Sequence, residues 1–236
     1  MNKVAIITGA SQGIGAGLVA GFLARGYRVV ANARRLEAGL NAEGTVLNVP
    51  GDISQAEVAG RVVQGAIETF GRLDTLVNNA GSFLAKPFTE LTAEEFSDSL
   101  NLNLGGFFHI TQQAVKQMLP QGSGHVVQIT TSLAEHPIQG VDAALASLTK
   151  GGLNAVTLGL AMEYANRGLR FNAVAPGVIK TPMHGPETHQ FLAGLHPLKR
   201  MGEVSEVVEA VLYLESAPFI TGEVLHVDGG AHAGRW

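Results

Sequence analysis

Thr8-Gly9-Ala10-Ser11-Gln12-Gly13-Ile14-Gly15 is the stretch on which the fold turns. An apolar run, Val4–Thr8, leads into it, and a helix-period segment near Ile14–Arg25 leads out. A strand, a glycine turn and a helix in that order can cradle a pyrophosphate. Gly9 permits the tight turn, Gly13 lets the backbone approach the phosphates, and Gly15 lets the helix pack against the strand. The helix N-terminus then offers free N–H groups to an anion. The glycine spacing differs from the common G-x-G-x-x-G fingerprint, and a turn that merely packs would use the same residues.

Outward from this turn, short apolar runs alternate with helical segments to the end of the chain. Arg28–Asn32, Thr45–Val49, Thr75–Asn78, His125–Thr130, Arg170–Ala175 and Val224–Val227 join Val4–Thr8 as expected strands, seven in all. They are rich in Val, Ile and Leu without alternation, as in a parallel sheet covered on both faces. Helices are expected near Gln55–Phe70, Ala93–Met118, Ser147–Asn166 and Ser205–Glu215. The pattern predicts a doubly wound, Rossmann-type α/β fold, with residues 1–236 forming one domain. Arg34 to Thr45 is short for a crossover, so any helix there is brief.

Composition narrows the function. With 46% apolar and 15% charged residues, the chain is globular. Its net charge of −4, with Lys and Arg scattered, argues against nucleic acid or an anionic membrane as a partner. The absence of cysteine excludes disulfides, thiolate metal sites and cysteine nucleophiles. No stretch is long and apolar enough to span a bilayer, and the start lacks the pattern of a secretory signal, so a cytoplasmic location is expected.

Several further motifs occur in order: Asn78-Asn79-Ala80-Gly81 after the fourth strand, Asn103-Leu104, Lys150, Pro176-Gly177 through Thr181, Thr221-Gly222, and Val227-Asp228-Gly229-Gly230. Together with the glycine turn they make the chain resemble the short-chain dehydrogenase/reductase family over essentially its whole length. The resemblance implies a nicotinamide cofactor, a small-molecule substrate and a homo-oligomer, dimer or tetramer. It implies that Gly9, Ser11, Gln12, Gly13, Ile14 and Gly15 line the pyrophosphate site. Asp52 and Ile53 would lie at the adenine, and Asn79, Ala80 and Gly81 behind its ribose. Pro176, Gly177, Ile179 and Thr181 would turn over the nicotinamide. Asp52 precedes a helix, so a capping role is its alternative. The second strand ends Ala33-Arg34-Arg35; where an NAD site usually carries an acid, arginines suit a 2′-phosphate, which favours NADP over NAD. Two solvated arginines are the alternative.

The catalytic set implied by the resemblance is an asparagine, a serine, a tyrosine and a lysine. The asparagine falls on Asn103, which would hold a water near the lysine, and the lysine on Lys150, which would also hold the cofactor's ribose; a capped or kinked helix position and a solvated helix lysine are their alternatives. The serine falls on Thr131 counted from the strand, or on Ser132 counted back from the helix; satisfying strand-end backbone groups is the alternative for both. The tyrosine falls on Ala146, and Tyr27, Tyr164 and Tyr213 lie elsewhere. A tyrosine gives up its proton at a pKa of about 10 and bulk water at about 15.7. At about 1.4 kcal/mol per unit and half sensitivity, water as the donor would be worse by ~4 kcal/mol, about a thousandfold. His136 and Asp142 are candidate replacements, with a surface position and a helix cap as their alternatives. Pro182 to Leu198 resembles a short substrate lid; its His184, His189 and His196 lack the carboxylate spacing of a metal site, and no metal is expected. Three functions are therefore open: an NADP-dependent oxidoreductase with a substitute donor, a silent cofactor-binding protein, or a lyase or isomerase on the same scaffold.

Overall fold

A computed structural model describes residues 2–234; Met1, Arg235 and Trp236, the ends of the expected domain, lie outside it. The strands are β1 (Val4–Thr8), β2 (Arg28–Ala33), β3 (Gly39–Leu40), β4 (Val46–Pro50), β5 (Thr75–Asn78), β6 (Gly124–Ile129), β7 (Leu169–Pro176) and β8 (Val224–Val227). They form one sheet in the order β3-β4-β2-β1-β5-β6-β7-β8, parallel throughout except for β3. The helices are α1 (Gly13–Ala24), α2 (Ala56–Phe70), α3 (Ala93–Leu100), α4 (Gly106–Gln121), α5 (Ala144–Tyr164), α6 (His189–Gly194) and α7 (Val204–Ser216).

The missing alternation in the strands has a direct cause. Val4, Ile6, Leu76, Val126 and Phe171 pack on the α2, α4 and α5 side. Ala5, Ile7, Val77, Val127 and Val174 pack on the α1 and α7 side. Both faces of the central strands are therefore in the core, so every position wants an apolar residue.

Two elements differ from expectation. The sheet has eight strands, not seven, because Gly39–Leu40 pairs antiparallel with Asn48 and Leu47 where at most a brief helix was expected. Both residues of β3 are exposed, so no apolar run marks it. The expected helix Ala93–Met118 is continuous in direction but widens into a π-turn at Asn101–Gly105, between α3 and α4. Such turns concentrate at functional sites.

At the N-terminal ends of the strands, a buried polar cluster ties the sheet to α7. Tyr27 Oη donates to Glu215 Oε1 at 2.7 Å, and Lys3 Nζ lies 3.4 Å from the same oxygen. His125 Nδ1 lies 2.7 Å from Glu215 Oε2, and its Nε2 lies 2.9 Å from Asn172 Nδ2. The amide can only donate there, which assigns the neutral ring with its proton on Nδ1. Burial holds the His125 ring below the ordinary histidine value. Burial also pushes the Glu215 carboxyl up, but the hydrogen bonds from His125 and Tyr27 outweigh it and bring it to about 2.

Both folded-state values are depressed, so both groups contribute stability that is lost as pH falls. The His125 share fades below about 6.5 and the Glu215 share below about 4.3, their unfolded values. Glu215→Gln should lower the unfolding free energy at pH 7 by about 2 kcal/mol and make the acid side of the stability curve shallower. Urea unfolding from pH 7 to pH 4 measures this. A variant curve parallel to the wild type would mean that the carboxylate is not what the acid titrates.

Candidate active site

The parallel strands end together on one side of the sheet, and a cavity of about 1000 Å³ opens there. The chain reverses direction of winding between β1 and β5, the switch point at which ligands of open α/β sheets bind.

Hydrogen bonds fix this point. Thr8 Oγ1 accepts from the backbone N–H groups of Asn79 (3.1 Å) and Ala80 (3.0 Å). Asn79 Nδ2 donates back to the carbonyls of Thr8 (2.9 Å) and Gly9 (3.2 Å). Gly9 takes a φ of +65°, and a Cβ there would stand 2.9 Å from Ala80 Cα, so the two loops touch backbone to backbone. A Cβ on Gly15 would fall on the carbonyl oxygen of Gly9, so helix α1 must begin against the turn with a glycine. The N-cap of α1, Gln12, makes no side-chain cap, and no acid occupies the first turn. The N–H groups at this helix start therefore suit an anion.

Gly9, Ser11, Gln12, Gly13, Ile14 and Gly15 all line the cavity, as do Arg34, Arg35, Asp52 and Ile53. Arg34 and Arg35 are exposed and, among the described residues, neither has an acidic partner. Asp52 Oδ1 accepts from Ser54 N–H at 3.0 Å just before α2. One oxygen thus serves the local turn while the residue still faces the cavity. Asn79, Ala80, Gly81, Pro176, Gly177, Ile179 and Thr181 also line it. The side chain of Asn79, however, holds the glycine turn.

Lys150 lines the cavity from α5 and is buried. Its Nζ donates to the carbonyl of Ile129 at 3.0 Å, at the end of β6. Burial alone lowers its pKa to about 8. A Cβ on Gly81 would lie 2.7 Å from Lys150 Nζ and 2.9 Å from Asn103 Oδ1, so this glycine is what lets both side chains cross the loop after β5. Asn103, on the π-turn, does not line the cavity but sits behind its wall. Its Oδ1 accepts from Ser82 N–H (2.9 Å), and its Nδ2 donates to Ser82 O (3.1 Å) and Thr149 Oγ1 (3.1 Å). It therefore braces the loop after β5 against α5.

Thr131 and Ser132 both reach the cavity, so the choice between them stays open. Thr131 Oγ1 also accepts from Leu133 N–H at 3.3 Å, capping a single helical turn. Ala146 does not line the cavity. Its methyl is buried in an apolar cluster with Leu133 and Ala143, against which Ile138 and Val141 pack. His136 is exposed, outside the cavity, with its ring beside those of His226 (6.2 Å) and His232 (5.9 Å). Asp142 is exposed at the cavity's rim.

The segment 182–198 closes one side, bringing Met183, His184, Phe191, Leu192, Leu195 and His196 to the cavity. Sequence reasoning missed the part of His196. Its Nε2 accepts from Val178 N–H at 3.0 Å, which pins this segment to the turn after β7. No local pattern marks that contact, because its partner is a backbone group 18 residues away.

Known proteins resemble this chain in sequence and in fold. A family model described as enoyl-(acyl carrier protein) reductase, a short-chain dehydrogenase/reductase model, matches residues 9–232. The chain belongs to the short-chain dehydrogenase/reductase family. A Streptomyces violaceoruber protein named as ketoacyl reductase 2 of the granaticin polyketide synthase is 39% identical, over 97% of this chain and 96% of its own. A glucose 1-dehydrogenase of Gluconobacter oxydans is 33% identical over 97% of this chain and 91% of its own. The solved structure of ElxO with NADP bound is 30% identical and superimposes with a TM-score of 0.92, covering 99% of this chain and all of that one. A tyrosine-to-phenylalanine variant of ElxO with NADPH bound superimposes equally well.

Proposed function

We propose that the chain is an NADP-dependent oxidoreductase that interconverts a carbonyl and a hydroxyl on a small substrate, with a substitute for the absent tyrosine. The observation that carries this reading is convergence. The glycine turn, Arg34 and Arg35, Lys150 and the Thr131/Ser132 hydroxyls open on one cavity at the switch point.

The start of α1 holds the pyrophosphate, and Arg34 and Arg35 take the 2′-phosphate, which favours NADP over NAD. NADP and NADPH in the ElxO structures support the same choice. A bound nicotinamide supplies or accepts the hydride. Lys150 anchors its ribose, and Asn103 keeps Lys150 in place through Gly81, Ser82 and Thr149. Thr131 or Ser132 donates a hydrogen bond to the substrate oxygen. The substrate side of the cavity is walled by Phe83, Leu133, Ile138, Val141 and Phe191, an apolar surface.

Exposed apolar side chains on α4 and α5, namely Phe108, Leu148, Leu158 and Met162, support association of copies through these helices. A monomeric mass at micromolar concentration would contradict that association.

Ala146 favours a second reading, in which the chain binds the cofactor without turning it over, because the tyrosine's place adjoins packed apolar side chains. NADPH consumption by the purified protein against ketones, aldehydes, quinones and imines separates the two. Turnover with any of them is the expected result. Silence across the panel, with NADPH still bound in a direct titration, would leave the binding role.

A further inference from the structure

We infer that Lys150 itself gives the proton to the substrate's carbonyl oxygen in this chain, taking the part left by the missing tyrosine. This rests on the oxidoreductase reading above. Four observations lead to it.

First, the side chain at the tyrosine's position faces apolar neighbours. Ala146 packs with Leu133 and Ala143, and Ile138 and Val141 pack against them, so its methyl belongs to an apolar cluster. Second, Lys150 Nζ lies in the cavity wall at the end of β6 and spends one N–H on Ile129 O, two residues before Thr131. An ammonium has three donors, so two remain. Third, no acid pairs with Nζ among the described residues. A carboxylate beside it would hold its proton; without one, burial makes it a better acid. At about 8, it lies in the range that suits proton transfer at neutral pH, far from water at about 15.7.

Fourth, the other titratable groups facing the cavity are poorly suited. They are Arg34, Arg35, Asp52, Asp142, His184 and His196. The arginines do not release protons in this range, and the aspartates are acceptors when ionised. His196 Nε2 is occupied by Val178 N–H, and burial lowers the pKa of both His184 and His196, so neither is stocked with protons at neutral pH. The hydroxyls of Thr131 and Ser132 orient the carbonyl but are weak acids.

In the reducing direction, a bound NADPH would supply the hydride taken up by the carbonyl carbon. The π pair moves to oxygen and takes a proton from Lys150 Nζ, leaving an alcohol, NADP⁺ and a neutral amine that water reprotonates. Hydride and proton account for both hydrogens gained, and the positive charge lost by the lysine appears on the cofactor.

Lys150→Arg tests this, because the guanidinium keeps the charge and the donors but cannot give up its proton. The expected result is NADPH binding weakened by no more than about tenfold in a fluorescence titration, with kcat at saturating NADPH lower by about a hundredfold or more on the compound the wild type reduces. Adding Ala146→Tyr to Lys150→Arg should restore part of that kcat. In the wild type, kcat should fall above pH 8 or so, and acylation of Lys150 by acetic anhydride, followed by mass spectrometry without cofactor, should rise with a midpoint at about 8. A Lys150→Arg variant that keeps its kcat overturns the donor assignment. So does an acylation midpoint at the ordinary lysine value of about 10.4. If the variant loses NADPH, the wild-type profile decides, and a kcat flat through about pH 9 overturns the assignment. A wild type that binds NADPH but reduces nothing overturns the oxidoreductase reading and the donor with it.

Discussion

The clasp between Thr8 and Asn79 is the contact on which the site depends. Parallel strands β1 and β5 diverge into different loops at the switch point, and each loop leaves backbone groups without a ladder partner. One threonine hydroxyl and one asparagine amide supply four hydrogen bonds across that gap. Buried backbone groups left unpaired would cost about 1–3 kcal/mol each, so the clasp settles both loops at once. The glycine turn can then approach the loop after β5 to within direct backbone contact. Everything downstream inherits this placement: the helix start that faces the cavity, the crossing of Lys150 over Gly81, and the bracing of Ser82 by Asn103.

The same rigidity explains how a chain can keep a family's cofactor architecture while altering its chemistry. Lys150 and Asn103 are held by backbone carbonyls, by Ser82 and by Thr149. None of these contacts involves the side chain at position 146. An alanine at this position therefore leaves the contacts of Lys150 and Asn103 intact. Desolvation then acts on the lysine directly, where in a tyrosine-bearing relative its charge would act on a neighbouring phenol.

Much of the fold was legible in the order of apolar runs, because strands buried on both faces announce themselves by composition. The seven long strands fall within a residue or two of their expected ends. β3 escaped notice because two exposed residues carry no hydrophobic signal. The π-turn was foreshadowed only by the kinked-helix alternative at Asn103, because one extra residue in a turn hardly disturbs a 3.6-residue period over so few positions. At the site, motif residues were legible in position but less so in task. Asn79 was expected behind a ribose; it lines the cavity, and its amide also holds the glycine turn, a contact no local pattern marks. Asn103 was expected in the catalytic set; its observed partners are Ser82 and Thr149, behind the cavity wall. His136, a loop histidine of suitable chemistry, lies against two other histidines instead of the cavity. Each of these depends on which long-range partner a polar side chain finds, and local pattern carries no record of that.

A structure of the protein with NADPH bound tests the account most directly. The account predicts the pyrophosphate at the start of α1, the 2′-phosphate between Arg34 and Arg35, and Lys150 Nζ within reach of both the nicotinamide ribose and the space above Thr131 and Ser132. A 2′-phosphate turned away from both arginines, or a nicotinamide ring held away from Lys150, would contradict it.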